Sequence, residues 1–290
     1  MSSITTSKYL AVVAAISCIA LSIKRNNAKK NKKNSSDGFR YAILPDTYKL
    51  GENSAIFVAD TIKKIVAKKG YANVIFATGA SQFHFINYLI TIAGIPWDKV
   101  TAYHLDEYVG LIDGEEHGAS FRKYLKERLF SKLKPQPKKV NYVDPDNYED
   151  YEKILAAVEI DLACIGIGEN GHIAFNDPPV ADFNDPKLVK VVELDEKCRQ
   201  QQLGEGWFNS LAEVPKTAIT LTVPAIMRAK IISCVVPDER KAIAVRDTLN
   251  DAISTKCPAT ILRNHENCIM WLDKPSTSKL STEMIKNNVM

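Results

Sequence analysis

The sequence predicts an α/β protein in which a parallel or mixed sheet is covered by helices on both faces. Short apolar runs typical of buried strands alternate with longer segments whose apolar residues recur every three or four positions. The chain has 290 residues, of which 46% are apolar and 25% charged, a composition that is ordinary for globular proteins. This length allows one large core, so we expect a single folded domain.

The elements follow one another in a regular order. A helix is predicted over residues 55–69, where apolar residues share one face and Gly70 follows as a stop. Residues 73–77 form an apolar run that predicts a strand, and a second helix is expected near 83–90. The alternation continues with strands over 99–105, 160–166 and 230–236, and helices over 118–131, 223–229 and 239–249. Strands separated by helices of this length predict a Rossmann-like architecture.

The first 38 residues differ from the rest, and we expect the folded domain to span 39–290. Residues 9–23 carry no charge, but this run is shorter than the ~20 residues that span a bilayer comfortably. A short membrane anchor, a cleaved signal peptide and a mitochondrial-type targeting segment all remain open. One lysine precedes the run and six basic residues follow it, which favours a membrane tether that leaves the domain in the cytoplasm. Targeting to an organelle and a fully soluble cytoplasmic protein are the alternatives.

Charge and cysteine usage exclude several classes of partner. The net charge is +4, but residues 1–33 contain seven basic residues and no acid, so residues 34–290 carry +4 − 7 = −3. A basic surface that would attract nucleic acid is therefore not expected on the domain. None of the six cysteines forms a C-x-x-C pair and no cysteine/histidine cluster has zinc-ligand spacing, so we expect buried thiols, no disulfides and no metal.

Polar residues that follow the predicted strands are the first candidates for a site, because ligands of open α/β sheets bind beyond the C-terminal strand ends. The stretch Thr78-Gly79-Ala80-Ser81 passes from a strand into a helix, so its backbone N–H groups and hydroxyls can bind a phosphate or simply cap the helix. Lys241 follows another strand at a helix start, where a lysine is unfavourable with the helix dipole. It is predicted either to bind phosphate or to be a solvated surface lysine.

Two further stretches hold acid/base candidates. Asp106 and Glu107 follow the strand-like run 99–105, and one of them can act as a general base if it is partly desolvated. Because neighbouring residues of an extended chain point in opposite directions, at most one of them faces a cleft. Solvated or capping carboxylates are the alternative.

The glycine-rich stretch from Gly166 to His172 has G-x-G-x-x-G spacing, but we reject a dinucleotide site. That motif needs a helix to begin within the glycines, whereas Pro178-Pro179 follows shortly after them. The glycines instead place His172 on a tight loop, as an acid/base with Asp177 fixing its tautomer or as a structural histidine.

Seven stretches in this order resemble the glucosamine-6-phosphate deaminase (glucosamine-6-phosphate isomerase) family, which is related to the 6-phosphogluconolactonases. The resemblance runs from about residue 41 to the C-terminus and lies in residues 78–81, 105–110, 117–121, 160–162, 166–176, 239–242 and 257–261. The lactonase branch typically has Gly-His-Thr-Ala-Ser-Leu-Phe-Pro, whereas this chain has Gly171-His172-Ile173-Ala174-Phe175-Asn176. The deaminase branch is therefore more similar.

The resemblance implies conversion of an amino-sugar phosphate into a ketose phosphate with release of ammonia, without a metal or organic cofactor. It implies that His172 opens the sugar ring and that Asp106 moves the C2 proton. The matching phosphate-binding positions are Thr78, Gly79, Ala80, Ser81 and Lys241. Glu107 and Gly171 are expected to contact the substrate.

The chain departs from the family pattern at two places. Where the family often has Asp and Glu flanking the histidine, this chain has Asn170 and Asp177, the second one methylene shorter than Glu. We still expect both residues in the catalytic centre. Residues 194–208 predict a longer polar loop that lacks the family's phosphate-binding arginine. Lys190 and Arg199 are the candidate substitutes for this arginine. A galactosamine-6-phosphate deaminase, a 6-phosphogluconolactonase and a non-catalytic sugar-phosphate-binding protein remain alternatives, and a homo-oligomer is left open.

Overall fold

The structure, a computed structural model, describes residues 38–111 and 117–286, which contain ten strands and eight α-helices joined partly by short 3₁₀ turns. The apolar run 9–23, with the proposed tether, lies outside these described residues. Within them, no helix combines the length and apolar character that a membrane crossing requires.

The strands are β1 Phe39–Leu44, β2 Ala72–Phe76, β3 Val100–His104, β4 Asp106–Tyr108, β5 Lys139–Asn141, β6 Leu162–Ile165, β7 Val189–Glu193, β8 Thr217–Leu221, β9 Ile232–Val236 and β10 Cys268–Asp273. The helices are α1 Thr47–Lys69, α2 Phe83–Leu89, α3 Phe121–Arg128, α4 Tyr148–Ala156, α5 Glu196–Gly204, α6 Val223–Met227, α7 Ala242–Asn250 and α8 Thr282–Lys286.

Seven strands form one parallel sheet in the order β1-β10-β9-β6-β2-β3-β5. Alternate residues of β2 enter different core clusters, with Ile75 in one and Val74 and Phe76 in the other. The cluster around Ile75 includes residues of α4, α6 and α7, whereas the other includes residues of α1, α2 and α3. Helices thus cover both faces of the sheet, and the predicted α/β fold class is confirmed.

A second, three-stranded antiparallel sheet has the order β4-β8-β7. Strand β3 leads into β4 through Leu105 alone, so the chain leaves the parallel sheet and joins the antiparallel one within two residues. A third core cluster, which includes Tyr108, Phe121, Phe175 and Phe208, packs beside this small sheet. The junction places Asp106 at the C-terminal edge of the parallel sheet.

The predicted start of the first helix is wrong by eight residues. Helix α1 begins at Thr47, and the side chain of Asp46 caps it by accepting a 2.8 Å hydrogen bond from Lys49 N. Its first turns bury the small residues Gly51 and Ser54 beside a single large apolar residue, Leu50. An apolar-periodicity argument does not detect a face of small residues.

The prediction of a polar loop over residues 194–208 is also wrong. Asp195 caps helix α5 by accepting a 2.7 Å hydrogen bond from Cys198 N, and the helix continues to Gly204. The helix buries Gln201 and Gln202, so its inward face is polar and has no apolar repeat. Helix α3 begins later than predicted because Ser120 caps it, and a separate 3₁₀ turn over Phe130–Lys132 follows its end. A 3₁₀ turn over Glu239–Lys241 likewise precedes α7, which begins at Ala242.

The contact between α1 and α2 depends on Gly51. A Cβ atom at this position would lie 2.6 Å from the backbone carbon of His84 in α2, which is far inside van der Waals contact. Helix propensity alone would make Gly51→Ala more stable by about 1 kcal/mol. We expect the steric clash to dominate, so Gly51→Ala lowers the free energy of unfolding by about 1–3 kcal/mol in urea titrations.

Gly204→Ala is the matched control for this prediction. Nothing lies within 4 Å of a Cβ atom built on Gly204. We expect this variant to be unchanged or more stable by up to about 1 kcal/mol. A Gly51→Ala protein as stable as the wild type would contradict the close helix packing.

Candidate active site

The four predicted polar stretches meet in one cleft at the C-terminal ends of β2, β3, β6 and β9. The cleft encloses about 510 Å³, including its open mouth. Residues after each of these strands line one side, and helix α5 lines the other. The lining includes Thr78–Gln82, Asp106, Gly166–Gly168, His172, Gln201, Gln202, Glu205 and Lys241.

The segment Thr78–Gln82, which we call the anion loop, forms one wall of this cleft. Gly79 has φ +91°, a conformation that other residues rarely adopt. The hydroxyl of Tyr124 donates a 3.0 Å hydrogen bond to the carbonyl of Gly79, which fixes the turn from outside the cleft. The loop therefore presents its backbone and the Thr78 and Ser81 hydroxyls to the cleft in a fixed arrangement.

Lys241 places a buried ammonium in the same cleft. It ends the 3₁₀ turn after β9, and only 3% of the residue is exposed. Burial lowers the pKa of Lys241, although the charge of Glu205 opposes this shift. Across the described ranges 38–111 and 117–286, no acceptor lies within hydrogen-bonding or ion-pair distance of its ammonium. A buried, unpaired cation beside the anion loop is suited to an anionic ligand.

Asp106 and Glu107 point in opposite directions, as expected for an extended strand. Asp106 lines the cleft, and burial together with the neighbouring charge of Glu107 raises its pKa well above the usual range. No donor among the described residues forms a hydrogen bond with the Asp106 carboxylate. A carboxyl with this environment is suited to accept and return a proton.

Glu107 was expected to contact the substrate, but the structure corrects this expectation. Its carboxylate is fully buried on the other side of β4 and accepts four hydrogen bonds, with donor distances of 2.8–3.0 Å. The donors are Tyr108 N, Ser120 Oγ, Phe121 N and Arg122 N. Three of them belong to the first turn of α3 or its cap, so Glu107 anchors that helix rather than a ligand.

His172 reaches the cleft on a tight loop after β6. A Cβ atom at Gly168 would lie 2.2 Å from the imidazole ring, so only glycine leaves space for the ring there. No helix begins between β6 and β7, a stretch described in full, so the glycines lack the helix that a dinucleotide motif requires. Gly171 was expected to contact substrate, but it does not line the cleft and packs instead on Cys257.

Asp177 and Asn170 surround the inner side of the His172 ring. Nδ1 of His172 lies 2.8 Å from Oδ1 of Asp177, and Asn170 Nδ2 donates a 2.9 Å hydrogen bond to the same oxygen. Burial raises the pKa of Asp177, but the charge of His172 and hydrogen bonds from His172, Asn170 and Cys198 outweigh it, so the net pKa is lowered. The short contact places a carboxylate beside Nδ1 of His172, which favours the tautomer with its proton on Nδ1 when Asp177 is ionised.

Among the described residues, one cluster brings together three side chains of the kinds that bind metal ions. Ligand atoms of His172, Asp177 and Cys198 lie within 4.8 Å of one another, and all three residues are buried. Imidazole, carboxylate and thiol are ligands that zinc accepts. In this arrangement, however, the Asp177 carboxylate already contacts the imidazole and Asn170.

The predicted substitutes for the missing arginine do not reach the cleft. Lys190 forms a 2.8 Å ion pair with Asp185 and donates to the carbonyl of Val180. Arg199 donates to the carbonyls of Leu211 and Val214, because it lies on the side of α5 that faces away from the cleft. The proposed phosphate-binding role of both residues is therefore wrong for this geometry.

The sequence interpretation missed the residues that α5 contributes to the cleft. Gln201, Gln202 and Glu205 line it, and Gln82 contributes a buried amide from the anion loop. The side-chain oxygens of Gln82 and Gln202 are buried without a hydrogen-bond partner. Asp195 is a helix-capping residue type that could have predicted this helix from the sequence. A helix that begins after Asp195 places residues 201, 202 and 205 on one face.

Comparison with known proteins agrees with this geometry. Residues 45–271 match the sequence profile of the glucosamine-6-phosphate isomerases/6-phosphogluconolactonase family. A glucosamine-6-phosphate deaminase of Streptococcus suis is 35% identical over 212 residues, covering 70% of this chain and 86% of the relative. One of Bacillus thuringiensis is 37% identical over 227 residues, covering 76% and 82%. The chain therefore belongs to this family.

Solved structures show the same fold. A monomeric glucosamine-6-phosphate deaminase superposes with a TM-score of 0.74 at 29% identity, covering 83% of this chain and 99% of that protein. A 6-phosphogluconolactonase from Thermotoga maritima superposes with a TM-score of 0.65 at 22% identity, covering 81% of this chain and all of that protein (100%). The second likeness concerns the fold alone.

Lys241→Met should stabilise the protein while removing its affinity for inorganic phosphate. A buried ammonium without a partner costs free energy, so we expect the variant to gain about 1 kcal/mol or more in urea unfolding at pH 7. Because the pKa of Lys241 is lowered in the folded state, the wild type becomes more stable as pH rises towards the usual pKa of lysine. The gain should therefore shrink at pH 10. A Lys241→Met protein less stable than the wild type at pH 7 would contradict an unpaired ammonium.

Proposed function

We propose that this protein converts glucosamine 6-phosphate and water into fructose 6-phosphate and ammonia. The observation that carries the proposal is that one cleft contains an unpaired ammonium, Lys241, and an unpaired carboxyl of raised pKa, Asp106, among the residues that the structure describes. Relatives named for this activity at 35–37% identity support it.

The anion loop and Lys241 are proposed to bind the phosphate of the sugar. Lys241 supplies a buried positive charge, and the loop supplies the backbone of Gly79, Ala80 and Ser81 with the Thr78 hydroxyl. A phosphate at this end of the cleft directs the sugar ring towards Asp106 and His172. Binding energy from the phosphate thereby orients the reacting carbons.

His172 is proposed to open the sugar ring. Opening requires transfer of a proton from the anomeric hydroxyl to the ring oxygen, and a neutral imidazole nitrogen accepts and returns protons near neutral pH. Asp177 and Asn170 support this step as positioning residues, because they orient the ring from the side away from the cleft.

Asp106 is proposed to carry out the isomerisation. Its carboxylate removes the proton from C2 of the open-chain amino sugar and returns a proton to C1, which leaves an imine at C2. Water then hydrolyses the imine to the ketone and releases ammonia. Burial supports this role because the raised pKa of Asp106 makes its carboxylate a stronger base than an exposed one.

The full-length protein should release ammonia from glucosamine 6-phosphate, and Asp106→Asn should reduce kcat by at least about 10³-fold with little change in KM. Ammonia is measured with a coupled glutamate dehydrogenase assay. Galactosamine 6-phosphate is the second substrate, since an axial C4 hydroxyl distinguishes it, and 6-phosphogluconolactone is the third.

Asp98→Asn is the matched control, because it makes the same chemical change at an exposed carboxylate that pairs with Lys99. It should have wild-type activity. If Asp106→Asn still hydrolyses 6-phosphogluconolactone and neither amino sugar yields ammonia with the wild type, the result would favour a lactonase. Binding of a hexosamine phosphate without turnover would indicate a sugar-phosphate-binding protein.

We propose further that residues 1–38 tether the domain of residues 39–290 to a membrane and leave it in the cytoplasm. The proposal rests on the uncharged run 9–23 and the basic residues after it.

The full chain fused to a fluorescent protein at its C-terminus should remain in the membrane pellet after carbonate extraction. Replacing three apolar residues of the run, Val12, Ile16 and Ile19, by Asp should release it. A wild-type fusion found in the supernatant would refute the tether.

A further inference from the structure

Glu205, at the C-terminal end of α5, places a carboxylate against the anion loop. Its Oε2 atom accepts a 3.3 Å hydrogen bond from the backbone N–H of Ala80 and another, also 3.3 Å, from the indole of Trp207. Oε1 accepts a 3.0 Å hydrogen bond from Gln201 Nε2. A Cβ atom built on Gly79 would lie 3.7 Å from Oε2, so the carboxylate faces the middle of the loop.

The position of Glu205 does not favour the stability of α5. Glu205 is the C-cap residue of this helix, where the helix dipole favours cations and disfavours a carboxylate. Two of its three hydrogen bonds come from outside the helix, from Ala80 of the anion loop and from the ring of Trp207. Trp207 in turn packs on Phe83 and Tyr124, next to the anion loop.

We propose that the carboxylate of Glu205 competes with the substrate phosphate for the anion loop and thereby determines the affinity of the cleft for phosphorylated ligands. This inference rests on the proposed function for the identity of the substrate, whereas its test uses inorganic phosphate and does not require the deaminase activity. A phosphate oxygen that accepts the Ala80 N–H must take the place of Oε2, because one N–H group donates one strong hydrogen bond. The phosphate also repels the carboxylate, since both are negatively charged.

Glu205 has space to leave the loop. It is half-buried, and its chain neighbours Gly204 and Gly206 are exposed to solvent. Within the described part of the chain no ion pair holds the carboxylate, because Lys241 lies beyond ion-pair distance. Rotation of the Glu205 side chain towards solvent therefore breaks three hydrogen bonds that water and the incoming phosphate replace.

The test compares phosphate binding by the full-length wild type, Glu205→Gln and Glu205→Ala, using inorganic phosphate in isothermal titration calorimetry. Glu205→Gln keeps the size of the side chain and removes its charge. We expect it to lower the Kd of phosphate by roughly ten- to a hundredfold, and Glu205→Ala to do so at least as strongly. For glucosamine 6-phosphate, KM should fall while kcat changes little, because Glu205 competes for the phosphate and not for the reacting carbons.

Glu196→Gln is the matched control, since it removes the same charge from an exposed position in the first turn of the same helix. Its phosphate affinity should equal that of the wild type, and circular dichroism checks that every variant is folded. Unchanged or weaker phosphate binding in Glu205→Gln would overturn the inference, as would equal tightening in Glu196→Gln.

The same experiment separates this inference from the proposed function. Tighter phosphate binding in Glu205→Gln, with no ammonia released by any protein, would leave the competition in place and refute the deaminase. Ammonia release together with the same phosphate Kd in the wild type and Glu205→Gln would support the deaminase activity and overturn the competition.

Discussion

The arrangement of the cleft depends on one buried carboxylate, that of Glu107 in β4. Its four hydrogen bonds join β4 to the first turn of α3, and burial raises its pKa while those donors oppose the shift. Because Glu107 is held on one side of the strand, Asp106 must point to the other, into the cleft. The residue that anchors this site is therefore Glu107, the neighbour of Asp106, although Glu107 does not itself line the cleft.

The small antiparallel sheet extends this constraint to His172. Asp106 pairs with Thr220 of β8, whose hydroxyl accepts a 3.1 Å hydrogen bond from Phe175 N. Asn176 donates a 2.8 Å hydrogen bond to the carbonyl of Leu221, the next residue of β8. Strand β8 thus contacts both the Asp106 strand and the loop that ends the His172 turn. Asp106 and His172, the two proposed acid/base groups, are thus positioned by a common strand, although they lie 66 positions apart in the chain.

Prediction from the sequence succeeded where local signals and chain order agree. Apolar runs, helix periodicity and the residues after strands were sufficient for four strands of the parallel sheet, β2, β3, β6 and β9, but not for β1, β5 and β10. They were also sufficient for the convergence of Thr78, Asp106, His172 and Lys241 in one cleft. The small sheet was not predicted, because the pairing of β4 with β8 joins residues more than 100 positions apart. Helix α5 was missed because its buried face consists of glutamines, which carry no apolar repeat.

The charges of the cleft explain why its carboxylates need separate environments. Asp106 and Glu205 line it together with a single buried ammonium, Lys241, and Asp177 lies behind His172. Each carboxylate is restrained differently: burial raises the pKa of Asp106, Asp177 contacts the imidazole of His172 at 2.8 Å, and backbone and indole N–H groups hold Glu205. Among the described residues that line the cleft, Lys241 is the only buried cation that can balance the charge of a bound phosphate. When a phosphate binds, each of these carboxylates must be protonated, be paired or move away. Asp106 and Asp177 are buried and Glu205 is half-buried, so Glu205 is the one of the three with access to solvent into which it can move.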